Sequence, residues 1–313
     1  MIDLKKKKIL VTGAGGFLGK YVIDNLISKR KVSNDNIFAP TSKELDLTVF
    51  NSCLKAVKGV DIVIHLAGVV GGIGANYARP GEFFYKNLMM GVSLMEAARI
   101  SGVEKFTALG TVCCYPKYTK IPFHEDDLWN GYPEETNAPY GLAKKMLLVQ
   151  SQSYRQQYGF NSIFLMPVNM YGSGDHFDPS VSHVIPALIF KIYNAIKNDL
   201  DNIEVWGSGR ATREFMHAAD GAEGIILATE KYDKSDPINL GSGKNISIKE
   251  LVILLCRLMK YKGKIIWDTT KPDGQPVRQL DVSRAYKRFG FKAKINLNDG
   301  LRETVKWFLD KQS

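Results

Sequence analysis

A glycine-rich turn, directly after the first strand-like run, is the feature that most limits how this chain can fold. The run ILVTG (9–13) continues into Gly13-Ala-Gly15-Gly16-Phe17-Leu18-Gly19 and then into a helix-like segment. Glycine permits the tight turn and a close approach of backbone to a pyrophosphate, and the helix N-terminus adds N–H groups and a positive dipole. This order predicts a dinucleotide-binding site, with cofactor contacts from Gly13, Gly15, Gly16, Phe17, Leu18 and Gly19.

Strand-like and helix-like segments alternate through the first half of the chain. Strands are predicted at 9–13, 36–40, 61–68, 104–109 and 162–167, and helices at 17–29, 48–58, 82–101 and 138–158. Such a series predicts an α/β fold, a Rossmann-type doubly wound parallel sheet. After Pro167 the pattern loosens. We therefore expect an NADP-binding domain at 1–167 and a smaller substrate-binding domain at 168–313, with a segment near 213–240 returning to the main sheet.

Composition excludes several other classes of protein. The net charge is +10, but the basic residues are scattered and only Lys5–Lys8 form a tight run, so we expect no nucleic-acid surface. The longest apolar runs fall short of a bilayer span, so no membrane partner is expected. The cysteines, at 53, 113, 114 and 256, lack the spacing of a metal site. These features predict a cytoplasmic protein with reduced thiols and no metal.

The end of the second predicted strand indicates which cofactor binds. NAD sites usually place an acid there for the ribose 2′-hydroxyl, but this strand runs into Pro40-Thr41-Ser42-Lys43 with no acid before Glu44. Ser42 and Lys43 can receive a 2′-phosphate instead. The sequence therefore favours NADP(H). Asp46 and Leu47 are candidates to flank the adenine, although Asp46 fits a solvated turn equally well.

A tyrosine and a lysine are spaced for carbonyl chemistry. Tyr140 and Lys144 lie one helical turn apart, where the ammonium can lower the pKa of the phenol and the phenol can exchange a proton with a carbonyl oxygen. Thr111 follows the predicted strand 104–109, at the sheet edge where ligands bind, and can donate a hydrogen bond to the same oxygen. Because these three residues follow a dinucleotide-binding turn in the sequence, they predict a carbonyl reductase.

Thr111, Tyr140 and Lys144 together resemble the extended short-chain dehydrogenase/reductase superfamily. The further motifs HLAGVVGGIGAN, GTVCCYPK, NAPYGLAKK, MPVNMYG, SHVIPAL, VWGSG with REFMH, and WDTTKPDGQP occur in the order found in the GDP-L-fucose synthase family. The resemblance covers nearly the whole chain. It implies a homodimer built from helices near 82–101 and 138–158. It also implies an NADPH-dependent C4 reductase of a GDP-linked 4-keto-6-deoxy sugar, with C3/C5 epimerase activity, that makes GDP-sugars for surface polysaccharide.

The resemblance also implies roles for single residues. Thr111, Tyr140 and Lys144 would perform the reduction, while Cys113 and His183 match the epimerisation base and acid. Further cofactor contacts would come from Leu66, Ala67, Tyr140, Lys144, Pro167, Asn169 and His183. The GDP-sugar would contact Asn169, Val184, Leu188, Val205, Trp206, Arg213, Lys271, Asp273 and Arg278. Arg278 replaces a lysine of the family. Its guanidinium still offers a cation to the diphosphate, with the N–H donors in a forked arrangement.

Some positions depart from the family and leave alternatives open. Val69 stands where a basic residue is common, and Val112 replaces a small polar residue; with Cys114 they are expected to reshape the sugar pocket. A 6-deoxy-heptose substrate, or reduction of a ketone epimerised by another enzyme, fits this change. A UDP-sugar 4-epimerase with retained NAD, and a catalytically silent NADP sensor or RNA-binding protein, are further alternatives.

Overall fold

The computed structural model describes residues 1–178, 182–271 and 273–312, apart from the side chain of Ile73. The strands are β1 (Ile9–Thr12), β2 (Ile37–Phe38), β3 (Ile62–His65), β4 (Lys105–Leu109), β5 (Ser162–Pro167), β6 (Asn169–Tyr171), β7 (Asn202–Trp206), β8 (Thr212–His217), β9 (Ile238–Leu240), β10 (Asn245–Ser247), β11 (Lys264–Asp268) and β12 (Val277–Arg278). The helices are α1 (Phe17–Ser28), α2 (Phe50–Ala56), α3 (Ile73–Ala78), α4 (Pro80–Ile100), α5 (Ala138–Tyr158), α6 (Val184–Lys197), α7 (Ala218–Lys231), α8 (Ile248–Leu258), α9 (Ser283–Phe289) and α10 (Leu297–Gln312).

Six parallel strands form the main sheet, in the order β2-β1-β3-β4-β5-β9. Every residue of β1, β3, β4 and β5 is buried, because α1 and α7 pack together on one face and α2, α4 and α5 on the other. The predicted Rossmann-type fold is confirmed. The strand order reverses between β1 and β3, and in such sheets the ligand crevice lies outside the carboxyl ends at that point.

The residues after β5 mostly build a second, smaller layer. Strand β8 pairs with β6, β10 and β12, while β7 and β11 form a separate parallel pair. Helices α6, α8 and α10 pack there around a second apolar core. Within the segment near 213–240, α7 covers the main sheet and β9 joins it, but β8 belongs to the small sheet.

Two local features differ from the prediction. The stretch Ile73–Ala78 forms a short helix that the glycine-rich sequence around it does not indicate. Strand β2 is confined to Ile37–Phe38, shorter than the predicted 36–40, because Pro40 has no N–H to continue the ladder.

The cysteines at 53, 113, 114 and 256 are free thiols. Within the described ranges, no helix combines the length and the apolar character that crossing a bilayer requires.

Candidate active site

The glycine-rich turn lies between β1 and α1, beside the loop that follows β3. Gly13 has a φ of +71°, and a Cβ on it would lie 2.9 Å from the Ala67 amide nitrogen. A Cβ on Gly19 would lie 2.2 Å from the Gly13 carbonyl oxygen, so only glycine lets the helix pack against the turn. Gly15 is exposed, and a Cβ there would meet no atom within 4 Å. This open space, next to the helix N-cap Gly16, has the form that a pyrophosphate site needs.

The two glycines should therefore respond differently to alanine. We expect Gly19→Ala to lower the free energy of unfolding by about 3 kcal/mol or more, because the new methyl group overlaps backbone. Gly15→Ala should change it by less than about 1 kcal/mol. It should nevertheless weaken NADPH binding about tenfold or more, because the methyl group occupies pyrophosphate space. Urea denaturation and NADPH fluorescence titration measure both effects. Unchanged NADPH affinity in Gly15→Ala would place the cofactor elsewhere.

The loop after β2 presents Ser42 and Lys43 to solvent. Glu44, the first acid after the strand, is bonded within its own loop. Its Oε2 accepts hydrogen bonds from the Thr41 amide at 2.7 Å and from the Thr41 hydroxyl at 2.8 Å. Asp46 is similarly engaged, because its Oδ1 accepts from the amide and hydroxyl of Thr48. These bonds lower the pKa of both carboxyls. The side chain of the next residue, Leu47, is buried in the main core, so an adenine there would meet its backbone.

The carboxyl ends of β3 and β5 hold the other predicted cofactor contacts. Leu66 and Ala67 are half-buried after β3, and the Ala67 amide donates to Thr12 Oγ1 at the end of β1. Pro167 closes β5 and is buried, while Asn169 is half-buried at the start of β6. The structure thus places these four residues at the same sheet edge as the glycine-rich turn.

Thr111 and Tyr140 meet where β4 ends against the first turn of α5. Thr111 caps a short 3₁₀ turn, Val112–Cys114, and its Oγ1 accepts from the Cys113 amide at 3.3 Å. This contact does not use the hydroxyl proton, and the hydroxyl also lies within hydrogen-bond reach of the Tyr140 phenol. Burial raises the pKa of Tyr140, and the Cys113 and Cys114 thiols raise it further, while the Thr111 side chain opposes the rise. The phenol is consequently neutral at pH 7 and able to donate a proton.

Lys144 lies one turn further along α5 and is buried. Its Nζ donates to the Ala67 carbonyl oxygen at 3.2 Å, across the gap to β3. Burial lowers the pKa of this ammonium to about 8, partly opposed by Cys114. Nζ also lies 3.2 Å from a Cβ built on Gly68, so the ammonium sits beside the loop after β3. The lowering of the phenol pKa by this ammonium, expected from their spacing, stays a prediction.

The two adjacent cysteines have different surroundings. Cys114 is fully buried and its thiol donates to the Gly141 carbonyl oxygen at 3.3 Å, which makes it a packing residue. Burial raises its pKa to about 12. Cys113 is half-buried, and Arg278 Nη1 donates to its Sγ at 3.7 Å. Cys113 thus has the accessible, electropositive surroundings of a reactive thiol.

His183 is exposed at the N-cap of α6. Burial raises the pKa of the Asp175 carboxyl, and the neighbouring His183 side chain opposes this rise. Asp175 Oδ2 is buried without a hydrogen-bond partner among the described residues. The preceding Ser182 lies against the loop after β3, with its carbonyl oxygen 3.1 Å from a Cβ built on Gly72. The start of α6 therefore lies beside the loop after β3.

The predicted diphosphate cations come from paired positions of β8 and β12. Arg213 and Arg278 are direct neighbours in this parallel ladder. Arg213 donates to the carbonyl oxygens of Thr212 at 2.8 Å, Gln275 at 2.6 Å and Asp273 at 3.2 Å. Burial, followed by the charge of Arg278, lowers its pKa to about 10, so it remains a cation at pH 7.

The predicted base-stacking residue, Trp206, is 63% exposed at the end of β7, with Lys271 Nζ 5.6 Å from its ring centroid. Asp273 stabilises the turn after it, accepting from the Ser208 amide at 2.6 Å and hydroxyl at 2.7 Å. Val184 is half-buried, whereas Leu188 and Val205 are buried in the second core.

Two polar residues of this site, Gln275 and Glu134, are not among those to which the sequence assigns a role. Gln275 is buried, and its Oε1 accepts from Arg278 Nε at 2.8 Å while its backbone carbonyl accepts from Arg213. Glu134 has a lowered pKa because hydrogen bonds from Thr136 and Asn137, with the charge of Arg278, outweigh its burial. Only their position relative to distant arginines marks them as part of the site.

The two valines that depart from the family are placed differently. Val69 is half-buried in the loop after β3, where its amide donates to Asn87 Oδ1. Val112 is 3% exposed and packs in the main core. Cys114 is likewise buried, so the effect of either residue on the shape of the sugar pocket stays a prediction.

Residues 9–241 match the family described as "NAD dependent epimerase/dehydratase family". The GDP-L-fucose synthase of Sinorhizobium fredii is 39% identical over 311 residues, covering 99% of this chain and 98% of that protein. A GDP-6-OMe-4-keto-L-xylo-heptose reductase from C. jejuni superposes with a TM-score of 0.91 at 28% identity, covering 99% of both chains. A GDP-mannoheptose C4 reductase from Campylobacter jejuni, solved with NADP bound, gives 0.87 at 28%, covering 97% of this chain and 99% of that one. The resemblance indicated by the motifs is thereby confirmed, and the chain belongs to the NAD dependent epimerase/dehydratase family.

Proposed function

We propose that the protein is an NADPH-dependent C4 reductase of a GDP-linked 4-keto-6-deoxy sugar, a hexose or 6-deoxy-heptose, that also epimerises C3 and C5. The observation that carries this proposal is a neutral, half-buried phenol, Tyr140, beside the Thr111 hydroxyl and Lys144 at the sheet edge next to the glycine-rich turn. The GDP-fucose and GDP-heptose relatives, one with NADP bound, support it. We infer that 1–167 with 218–240 bind NADPH and that the remaining C-terminal residues bind the nucleotide sugar.

In the reduction, the protein holds and protonates one oxygen. Thr111 and Tyr140 donate hydrogen bonds to the C4 ketone oxygen, where negative charge develops. Bound NADPH supplies the hydride to C4. Tyr140 gives its phenolic proton to the oxygen, which its neutral state at pH 7 allows. Lys144 holds a cation against the cofactor side of the site.

Epimerisation can use the same oxygen site. The protons at C3 and C5 flank the ketone, so removal of either leaves an enolate with its charge on the C4 oxygen that Thr111 and Tyr140 already hold. The Cys113 thiolate would take the proton, and His183 would return one from the opposite face. These two side chains approach from different elements, the turn after β4 and the N-cap of α6.

The direct test supplies NADPH with GDP-4-keto-6-deoxymannose or its heptose homologue. We expect NADPH oxidation and a product reduced at C4, identified by mass spectrometry and NMR. A protein that binds NADPH but turns over neither ketone would refute the proposal. Turnover without solvent deuterium at C3 or C5 would limit the function to reduction. Purified protein with NAD tightly retained, and no net NADPH oxidation, would instead indicate a 4-epimerase.

The pKa of Lys144 predicts a loss of activity at alkaline pH. Below about pH 8 this side chain is an ammonium, and above it the neutral amine predominates. We expect kcat/KM for the ketone to fall above about pH 8, by up to about tenfold per pH unit. A stopped-flow pH series at constant ionic strength measures this, with circular dichroism as the control for folding. A profile that stays flat to pH 9.5 would contradict a role for the cation.

We also infer a homodimer built on α4 and α5. These helices pack together against the main sheet, and their outer face carries exposed Phe84, Tyr85 and Val149. We expect Phe84→Glu to convert a dimer to a monomer in size-exclusion chromatography with light scattering, because a charge would replace buried apolar surface. Tyr286→Glu, at an exposed aromatic on α9, should leave the mass unchanged. A monomeric wild type would exclude this dimer.

A further inference from the structure

Arg278 is directed at a sulfur atom. Its Nη1 donates to Cys113 Sγ at 3.7 Å, across 165 residues of sequence. Both residues are half-buried, so the guanidinium is partly shielded from water. A cation that donates a hydrogen bond to a sulfur favours the thiolate over the thiol, and the thiolate is the form that accepts a proton from carbon.

The direction of the guanidinium is fixed by a buried neighbour. Gln275 Oε1 accepts from Arg278 Nε at 2.8 Å, which leaves the Nη1 end free for the sulfur. The Gln275 amide nitrogen donates to the Lys117 carbonyl oxygen at 2.7 Å, on the chain that leaves the Cys113 turn. Gln275 is 8% exposed. One buried amide therefore ties Arg278 to the same segment that carries Cys113.

A second buried residue fixes the backbone of β12. Glu214, on β8, accepts from the Leu280 amide at 2.7 Å through Oε2 and from the Gly243 amide at 2.7 Å through Oε1. It is fully buried. These bonds hold the chain just after Arg278 in place, and the β8–β12 ladder holds Arg278 itself opposite Arg213. Strand pairing with β8 and the hydrogen bonds of Glu214 thus fix the position of Arg278. A mobile surface arginine would have no such support.

We propose that Arg278, aligned by Gln275, is the positioning residue that holds Cys113 as the thiolate base of epimerisation. This rests on the proposed function. In that step the C–H bond at C3 or C5 breaks, its proton forms S–H on Cys113, and its electron pair moves through the enolate to the C4 oxygen. Arg278 touches no reacting carbon. The Arg278 cation balances the negative charge on sulfur before the proton transfer. Once the thiol forms, the sulfur is neutral and this ion pair is lost.

The competing role for Arg278 is the one that the family resemblance implies, a contact with the diphosphate of GDP. The two roles differ in whether they require bound substrate and in which reaction they affect. A diphosphate contact acts only when the nucleotide sugar is bound and affects epimerisation and reduction equally. Stabilisation of the thiolate acts in the free protein and affects only the step that uses Cys113.

The experiment measures Cys113 alkylation by iodoacetamide in substrate-free protein at pH 7, by mass spectrometry, in a Cys114→Ser background that leaves one cysteine in that turn. We expect Arg278→Gln to slow alkylation about 3- to 10-fold, because one adjacent cation is lost. Arg278→Lys should restore part of the rate, and Gln275→Leu should slow it in the same direction. Arg257→Gln, on the exposed face of α8, is the matched control and should have no effect.

With substrate, Arg278→Gln should slow solvent deuterium uptake at C3 and C5 more than it slows reduction of a ketone that is already epimerised. Unchanged alkylation, with an equal loss in both reactions and a raised KM, would overturn the proposal and leave a diphosphate contact. Alkylation needs no substrate, so it tests the role of Arg278 even if the wild type oxidises no NADPH. Absence of NADPH oxidation would refute the proposed function but would leave the alkylation result valid. Circular dichroism of each variant, with Arg278→Lys and Gln275→Leu as second probes, separates these results from misfolding.

Discussion

Replacement of Tyr140 by phenylalanine is expected to lower kcat for ketone-dependent NADPH oxidation by roughly 10²- to 10⁴-fold, the usual contribution of a general acid. The variant loses one hydroxyl, which is both the proton donor and one of two hydrogen-bond donors to the C4 oxygen. Thr111 remains, so some stabilisation of the oxyanion survives. The ring still packs edge-on against Phe83, whose centroid is 6.4 Å away, so folding should be retained.

Single-turnover stopped-flow measurement with both substrates saturating isolates the chemical step from binding. NADPH affinity, measured separately, should change by less than a factor of a few. Tyr158→Phe, at the exposed end of the same helix, is the matched control and should retain wild-type kcat. An undiminished kcat in Tyr140→Phe would show that another group protonates the oxygen, and the proposed reduction site would then be wrong.

The parts of the fold that sequence predicts well are those with strong local signals. Helix α5 and strand β5 have the predicted bounds, 138–158 and 162–167. Pro139 suits the first turn of α5, and Gly159, with a φ of +66°, ends it in the left-handed conformation. Where the signal is weaker the bounds differ: α2 covers only Phe50–Ala56 of the predicted 48–58, because Asp46 and Thr48 form a turn first.

Site residues with a strong local signal are predictable from the sequence in the same way. The glycine-rich turn and Thr111 each follow a strand directly, and Tyr140 and Lys144 share a helix face, so local spacing places them correctly. The direction of the Lys144 ammonium could not be deduced, because it depends on the Ala67 carbonyl across the sheet. Gln275 and the contact of Arg278 with Cys113 depend on how the small sheet meets the main one, which no local pattern encodes.

Replacement of Cys113 by serine is expected to separate the two reactions. A serine hydroxyl is a far weaker base than a thiolate, so deuterium uptake from solvent at C3 and C5 should fall by roughly 10²- to 10⁴-fold. Reduction of a ketone that already has the product configuration should fall by less than about tenfold, because Thr111, Tyr140 and Lys144 do not depend on the sulfur for position.

NMR of the recovered sugar, incubated in D₂O with protein and without NADPH, measures the exchange directly. Cys114→Ser is the adjacent control: its hydroxyl can still donate to the Gly141 carbonyl oxygen, so exchange should persist. Exchange that survives in Cys113→Ser would assign the base to another residue. Exchange absent from the wild type, with reduction intact, would mean that the ketone arrives already epimerised. The asymmetry follows from the geometry, because the oxyanion donors lie in the turn after β4 and on α5, while the base depends on an arginine from β12.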